Sequence, residues 1–208
     1  MARMDAIMLN ITDLSVWAYL GLRNEYWSNT IHTLENFLLG NVDLLNAKKT
    51  FKRSMKWAFD HAAQEAWIDG GGTLPMSQEA KDYLVEQKLE QRQYIDEMFK
   101  KIAVHKSSDI SVVFKLAMEK ADLWARSVDI LYNNIKIINA GNIMLLFTGE
   151  DGDPPESPCP ECEKYKGKWH TAKWWRSRNA VPPNRNFTCG GWNCRHFLID
   201  SEGRIFTL

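Results

Sequence analysis

The chain has 208 residues, with 26 lysines and arginines against 26 aspartates and glutamates, so its formal net charge is zero. Hydrophobic residues make up 45% of the chain and charged residues 25%, a composition typical of globular proteins that excludes global disorder. The length allows one large domain or one domain with a small appendage. Because the charge is balanced, electrostatic attraction to nucleic acid or membrane has to be local.

Two apolar segments are interrupted by polar residues, so the first is not expected to be an export signal and the second is not expected to be a membrane span. The run at residues 6–9 is short and is followed by Asn10 and Asp13. The stretch at residues 128–147 contains Asp129, Lys136 and several asparagines, which a lipid-exposed helix would not tolerate. We therefore expect a protein made in the cytosol, with no membrane partner.

Residues 1–141 are predicted to form a mostly helical region. Shorter helices are indicated at residues 14–22 and 31–39, before Gly40 and Asn41. From Ala47 onward, apolar residues recur every three or four positions, which predicts a helix ending at Gly70. The positions expected to be buried are Phe51, Met55, Phe59, Ala62 and Ala66.

Two more long helices are predicted after that glycine, giving three long antiparallel helices in all. Ser77 and Glu79 are suited to begin the first of them. Its expected buried stripe is Val85, Leu89, Ile95, Phe99 and Ile102. The last helix is expected to start near Ser108 and Asp109, to run to about Asn139 and to stop at Gly141.

Residues 142–208 are predicted to form a small module that contains short β-strands. Strands are indicated at residues 144–148, 187–188, 197–199 and 205–207, with a turn at 201–203 and an acidic, proline-rich loop at 149–158. The fold class expected is therefore α+β, with a helical region over 1–141 and a cysteine-rich module over 142–208. A module of this size needs a covalent or metal staple.

All four cysteines of the chain lie in this module, as Cys159, Cys162, Cys189 and Cys194. In a reducing compartment, a C-x2-C pair followed by a second pair favours a tetrahedral zinc site. The C-x4-C spacing of the second pair is looser than that of a usual zinc ribbon, and His196 or His170 could replace one cysteine. Disulfides or buried free thiols remain the alternative. Four protein ligands would leave no position for water, so the zinc predicted here is structural.

The module is also locally basic, because residues 164–199 contain no aspartate or glutamate. Its cations interleave with Trp169, Trp174 and Trp175, a combination that binds nucleic acid through phosphates and stacked bases. Alternatively, the tryptophans form the module's core and the cations are its solvated surface. The nucleic-acid-binding candidates are Lys164, Lys166, Lys168, Lys173, Arg176 and Arg178.

No motif indicates an enzyme. The pair Cys194 and His196 lies two residues apart, but the sequence shows no third group to orient it as a nucleophile. The glycines at 70–72 are better explained as a helix stop than as a phosphate-binding loop. We therefore expect a non-enzymatic protein.

The C-terminal residues resemble the phage Mu F-like head morphogenesis family of bacteriophage minor head proteins. The resemblance rests on residues 159–168 (CPECEKYKGK), the tryptophan-rich spacer, residues 181–183 (VPP) and residues 193–196 (NCRH). The helical stretch at 51–70 and the helices after it agree more loosely. This sequence departs from the family pattern at residues 184–192, where the usual histidine after the prolines is missing and Cys189 is a candidate to compensate.

The resemblance implies a structural virion component of few copies, associated with the portal inside the head. Such a protein would be made in the host cytoplasm, would contact the portal or the major capsid protein and would act in head assembly, DNA packaging or DNA ejection. The alternative interpretation is a cytosolic zinc-ribbon regulator that binds nucleic acid and is unrelated to virions.

Overall fold

The computed structural model describes residues 14–107, 109–150, 159–184, 186–190 and 194–207. Its fold is α+β, as predicted, with long helices followed by a small antiparallel sheet. The four long helices are α1 (Leu14–Leu38), α2 (Leu44–Asp69), α3 (Gln78–Ile102) and α4 (Ile110–Ala140). A short 3-10 turn, Ala103–His105, follows α3. Among the described residues, no helix is long and apolar enough to cross a membrane.

Local capping residues fix the ends of the long helices, and the sequence predicted those at Ser77, Asp109 and Gly141. Asp43, Ser77 and Asp109 each accept a hydrogen bond from the first turn of α2, α3 and α4. Gly141 ends α4 with a positive φ of 54°. The predicted buried positions of α2 are all buried, and this helix begins three residues earlier than expected because Asp43 caps it.

The N-terminal part differs from the prediction of two short helices, because α1 is continuous. The polar segment between the two predicted helices is itself helical, and its side chains contact α4. Arg23 forms an ion pair with Asp129 at 2.8 Å, and the Trp27 indole donates to Asp122 at 2.7 Å. These pairs also show that α1 and α4 are antiparallel.

The stripe predicted for α3 is partly wrong. Ile95, Phe99 and Ile102 are buried, but Val85 and Leu89 are each 55% exposed. This helix packs mainly against α2 at the outside of the bundle, so it buries only a narrow stripe that includes Leu84 and Gln91. A narrow stripe cannot be distinguished from a wider one by apolar spacing alone.

In the C-terminal module, the described residues form three strands and two short helices: β1 (Met144–Glu150), α5 (Pro160–Tyr165), β2 (Trp169–Thr171), α6 (Ala172–Ser177) and β3 (Arg195–Ile199). β1 is central and pairs antiparallel with both other strands, with Leu145 opposite His170 and Phe147 opposite Leu198. The strand predicted at 187–188 is instead a turn, and that at 205–207 is reduced to one bridge between Ile205 and Ile199. The predicted acidic loop falls largely on residues 151–158, outside the described residues.

Two hydrophobic cores organise these elements. The larger lies among the four long helices, and the smaller lies around Trp175, Phe147 and Leu198 in the module. Ile137 and Ala140 of α4 belong to the smaller core, so this helix contributes to both. The division into domains at residue 141 stays a prediction.

Candidate metal centre

The first two cysteines lie at the start of α5. Cys159 is the N-cap residue, and Pro160 occupies the first helical position, where its missing N–H costs nothing. The single turn between them brings Cys162 to the inner side of the helix, where it is fully buried against the module core. This is the geometry through which a C-x2-C pair presents two thiolates to one ion.

Cys189 reaches the same place through the turn that follows Phe187. Glu161, inside the C-x2-C pair, fixes this turn by accepting hydrogen bonds from the Thr188 backbone N–H at 3.0 Å and hydroxyl at 3.1 Å. The Cys159 thiol donates to the same carboxylate at 3.2 Å. These hydrogen bonds, with the one from the Thr188 backbone as the largest cause and the one from Cys159 as the next, lower the pKa of Glu161 to about 2. Sequence analysis missed this residue, although its position inside the motif was a usable signal.

The third element is the start of β3, where Cys194 precedes the strand and His196 is buried within it. Residues two apart on a strand share a face, and the Cys194 Sγ lies 4.0 Å from the His196 Nδ1. The imidazole ring packs against the Phe147 ring of β1, with centroids 5.2 Å apart. Sheet pairing therefore delivers both side chains to the C-x2-C turn.

The donors form two overlapping groups that share Cys162. Within each group the donor atoms lie within 4.8 Å of one another: Cys159, Cys162 and Cys189 in one, Cys162, Cys194 and His196 in the other. Zinc holds sulfur ligands at about 2.3 Å, which places neighbouring sulfurs about 3.8 Å apart, so a small contraction would close a site around Cys162. The arrangement of four cysteines and one histidine is compatible with a metal site.

The structure thus brings the four predicted cysteines together and adds His196 to them, while His170 lies elsewhere. The His170 ring stacks on Trp174 with centroids 3.6 Å apart. No disulfide links any of the four cysteines. A hydrogen bond shared between Cys162 and Cys194 lowers the pKa of the Cys194 thiol, and His196 lowers it further. A thiolate is the form that binds metal.

The predicted nucleic-acid-binding residues lie on α5, α6 and the turns beside them. Lys164, Lys166, Lys168, Lys173 and Arg178 are exposed, and Trp169 is 42% exposed beside Lys168. Trp175 instead lies fully buried and donates from its indole to the Leu145 carbonyl oxygen at 3.0 Å. The tryptophans are therefore divided between core and surface, and nucleic-acid binding stays a prediction.

Arg176 differs from the other cations because it contacts the helical region. Its guanidinium forms an ion pair with Glu79 of α3 and lies over the Tyr83 ring, 5.6 Å from its centroid. This pairing joins residues 97 positions apart, so no local pattern could predict it. Asn193, the first residue of the NCRH segment, lies outside the described residues.

No protein-family model, curated protein or solved structure matches this chain.

Proposed function

We propose that this chain is a minor head protein of a bacteriophage, a structural component associated with the portal inside the head. It would act in head assembly and in the packaging or ejection of DNA, without catalysing a reaction. The observation that carries the proposal is the meeting of Cys159, Cys162, Cys194 and His196, the motif residues of the resemblance, in one small module. That module is attached to a long helical region suited to protein contacts.

The proposal includes a structural zinc ion bound by Cys159, Cys162, Cys189 and Cys194. His196, beside Cys194, is the donor that would replace one of these cysteines. Thiolate and imidazole donors suit zinc, and a bound ion would staple α5 to the Cys189 turn and to β3. The small core of the module gives a reason for such a staple.

The virion role is tested by deleting the coding sequence from the phage genome that carries it and supplying it again from a plasmid. We expect the deletion to lower the yield of infectious particles and the complemented phage to carry the chain in purified heads, as measured by mass spectrometry. Fully infectious particles from the deletion, with no trace of the chain in wild-type heads, would contradict the proposal.

The alternative is a cytosolic zinc-ribbon regulator that binds nucleic acid. The exposed lysines around Trp169 favour this second candidate, because cations beside an accessible indole suit phosphate and base contacts. The two candidates differ in the isolated protein. A regulator would bind DNA with sequence preference at physiological salt, whereas a head protein would bind DNA without preference and associate with portal rings or capsid shells.

A further inference from the structure

The four long helices meet at the end of the bundle opposite to the C-terminal end of α4, and we call this the distal end. The ends of α1 and α3 lie beside the beginnings of α2 and α4 there, and the Ser107 N–H donates to the Leu38 carbonyl oxygen at 3.3 Å. Beneath this contact, the Phe99 ring packs against the rings of Phe37 and Phe51, with centroids 5.2 and 5.7 Å away. The α1–α2 and α3–α4 connections therefore lie side by side over a packed cluster of aromatic rings.

This distal end exposes an unusual concentration of large apolar side chains. Leu45, Val104 and Ile110 are 76%, 79% and 70% exposed, so these side chains do not belong to the core of the bundle. Seven of the fifteen exposed large hydrophobics among the described residues lie here: Leu39, Leu44, Leu45, Val104, Ile110, Val112 and Phe114. A concentration of exposed apolar side chains of this kind marks an interaction site, unlike apolar residues that are scattered singly over a surface.

The surroundings of the distal end are cationic. The segments 36–49 and 100–115 contain six lysines against two aspartates, and one of these lysines, Lys48, pairs with Asp96 of α3 at 3.2 Å. Both aspartates, Asp43 and Asp109, are turned toward helix N-termini as capping groups. Lys49 and Lys101 are exposed, and Lys106 lies over the Phe37 ring at 4.8 Å from its centroid. An apolar centre with a cationic rim complements a partner surface that is apolar and acidic.

A second copy of the chain is a poor occupant. Two distal ends placed face to face would bring their lysines together, and like charges across an interface are unfavourable. A contact between the distal end and a different face of the next copy would generate a ring or an open chain of subunits instead of a closed dimer. The charge distribution therefore favours a different protein.

We infer that the distal end is the face through which this chain docks on an apolar, acidic surface of a protein partner. The inference rests on the proposed function, which makes that partner the portal or capsid protein. In this arrangement, the last turns of α4, which contribute to the core of the C-terminal module, lie at the opposite end of the helices.

The experiment measures binding of the full-length chain to portal rings and to capsid shells purified from the same phage. In the Leu45→Asp/Ile110→Asp variant, both new carboxylates lie in the first turn of a helix, where negative charge is tolerated, so the variant should stay folded. We expect at least a tenfold loss of affinity. Lys49→Glu/Lys106→Glu, which reverses two exposed charges of the rim, should also bind more weakly. The matched control, Val85→Asp/Leu89→Asp, removes two exposed apolar side chains in the middle of α3 and should bind as the wild type does.

Several results would overturn the inference. If the wild type binds its partner and Leu45→Asp/Ile110→Asp binds equally well, docking uses another face while the proposed function stands. If the wild type binds neither portal nor shell, the proposed function fails, and this inference fails with it. Dimerisation in sedimentation experiments, or binding to phosphatidylcholine–phosphatidylserine vesicles, would also overturn it if either was abolished by the same variant. The occupant would then be a second copy or a lipid surface.

Discussion

Asp69 and Lys136 form a buried ion pair, with the carboxylate Oδ2 2.6 Å from the ammonium Nζ and the side chains only 3% and 8% exposed. Tyr132 donates to the same carboxylate oxygen at 2.7 Å, and Lys136 also donates to the Ile205 carbonyl oxygen at 2.9 Å. The end of α2, the last turns of α4 and the C-terminal tail therefore share one polar network. This network is one of the places where the module is held against the helical region.

Replacing Lys136 by methionine should be strongly destabilising, because it leaves the Asp69 carboxylate buried without its countercharge. We expect the free energy of unfolding, measured in urea, to fall by about 3 kcal/mol. The double variant Asp69→Leu/Lys136→Met removes both charges and should recover part of this loss. A single variant as stable as the wild type would show that water or another group compensates Asp69.

The sequence predicted the fold best where local chemistry determines it. The caps at Ser77 and Asp109 and the stop at Gly141 are set by residues within one turn, so α3 and α4 could be placed closely. The cap at Asp43 was not predicted, and the start of α2 was placed three residues too late. Continuity of α1 depends on partners far along the chain, such as Asp129 for Arg23. Local spacing contains no information about such partners.

The candidate site was predictable in its donors but not in their grouping. Cysteine spacing identified the four thiols, whereas the position of His196 depends on the pairing of β3 with β1. The same limit applies to Arg176, which was predicted as a nucleic-acid contact from its basic neighbours. Its pairing with Glu79 is a tertiary contact that no short segment encodes.

Metal removal should unfold the module and leave the helices. We expect protein purified without chelator to contain about one zinc per chain with protected thiols, and Cys162→Ser to lose the metal because Cys162 belongs to both donor groups. Elemental analysis, a thiol count and limited proteolysis would measure this. His170→Asn is the control and should keep the metal, since its ring stacks on Trp174. No metal in the wild type, with four reactive thiols, would contradict the zinc assignment.

Substitution of exposed lysines should weaken DNA binding more than substitution of Arg176. Lys164→Gln/Lys168→Gln removes two exposed cations, so we expect weaker binding to a labelled duplex and a salt dependence reduced by about two phosphate contacts. Fluorescence anisotropy between 50 and 200 mM salt, about the range where such contacts are resolved, measures both effects. Arg176→Gln should change them little, because this side chain pairs with Glu79. Equal effects of the two variants would argue against the proposed surface.

Two glycine substitutions should act in opposite directions. Gly149 has a φ of 130°, and a Cβ added there would lie 2.4 Å from the Arg195 carbonyl oxygen on β3. Gly149→Ala should therefore destabilise the protein by about 2 kcal/mol and displace His196. Gly21→Ala, in α1 with open space around it, should stabilise the protein by about 1 kcal/mol. Thermal unfolding of both variants measures the difference, and a harmless Gly149→Ala would mean that β3 can shift freely.

Asp60 should make the helical region less stable in acid. Partial burial raises the pKa of this carboxyl, but hydrogen bonds from Lys56 and Lys88 outweigh burial and hold the pKa below its ordinary value of 3.8. Since the folded pKa is the lower one, the stabilisation is complete well above pH 3.8 and is lost as the pH falls through the folded value.

The measurement for Asp60 compares urea unfolding of the wild type and Asp60→Asn across this pH range. The difference in free energy of unfolding should be largest near neutral pH and should shrink as the solution becomes more acidic than the ordinary pKa. Any acid-induced loss of metal affects both proteins and cancels in the difference. Lys88→Met, which removes the α3 partner of Asp60, should flatten the wild-type dependence in the same way. Parallel profiles for all three proteins would show that Asp60 contributes no pH-dependent stability.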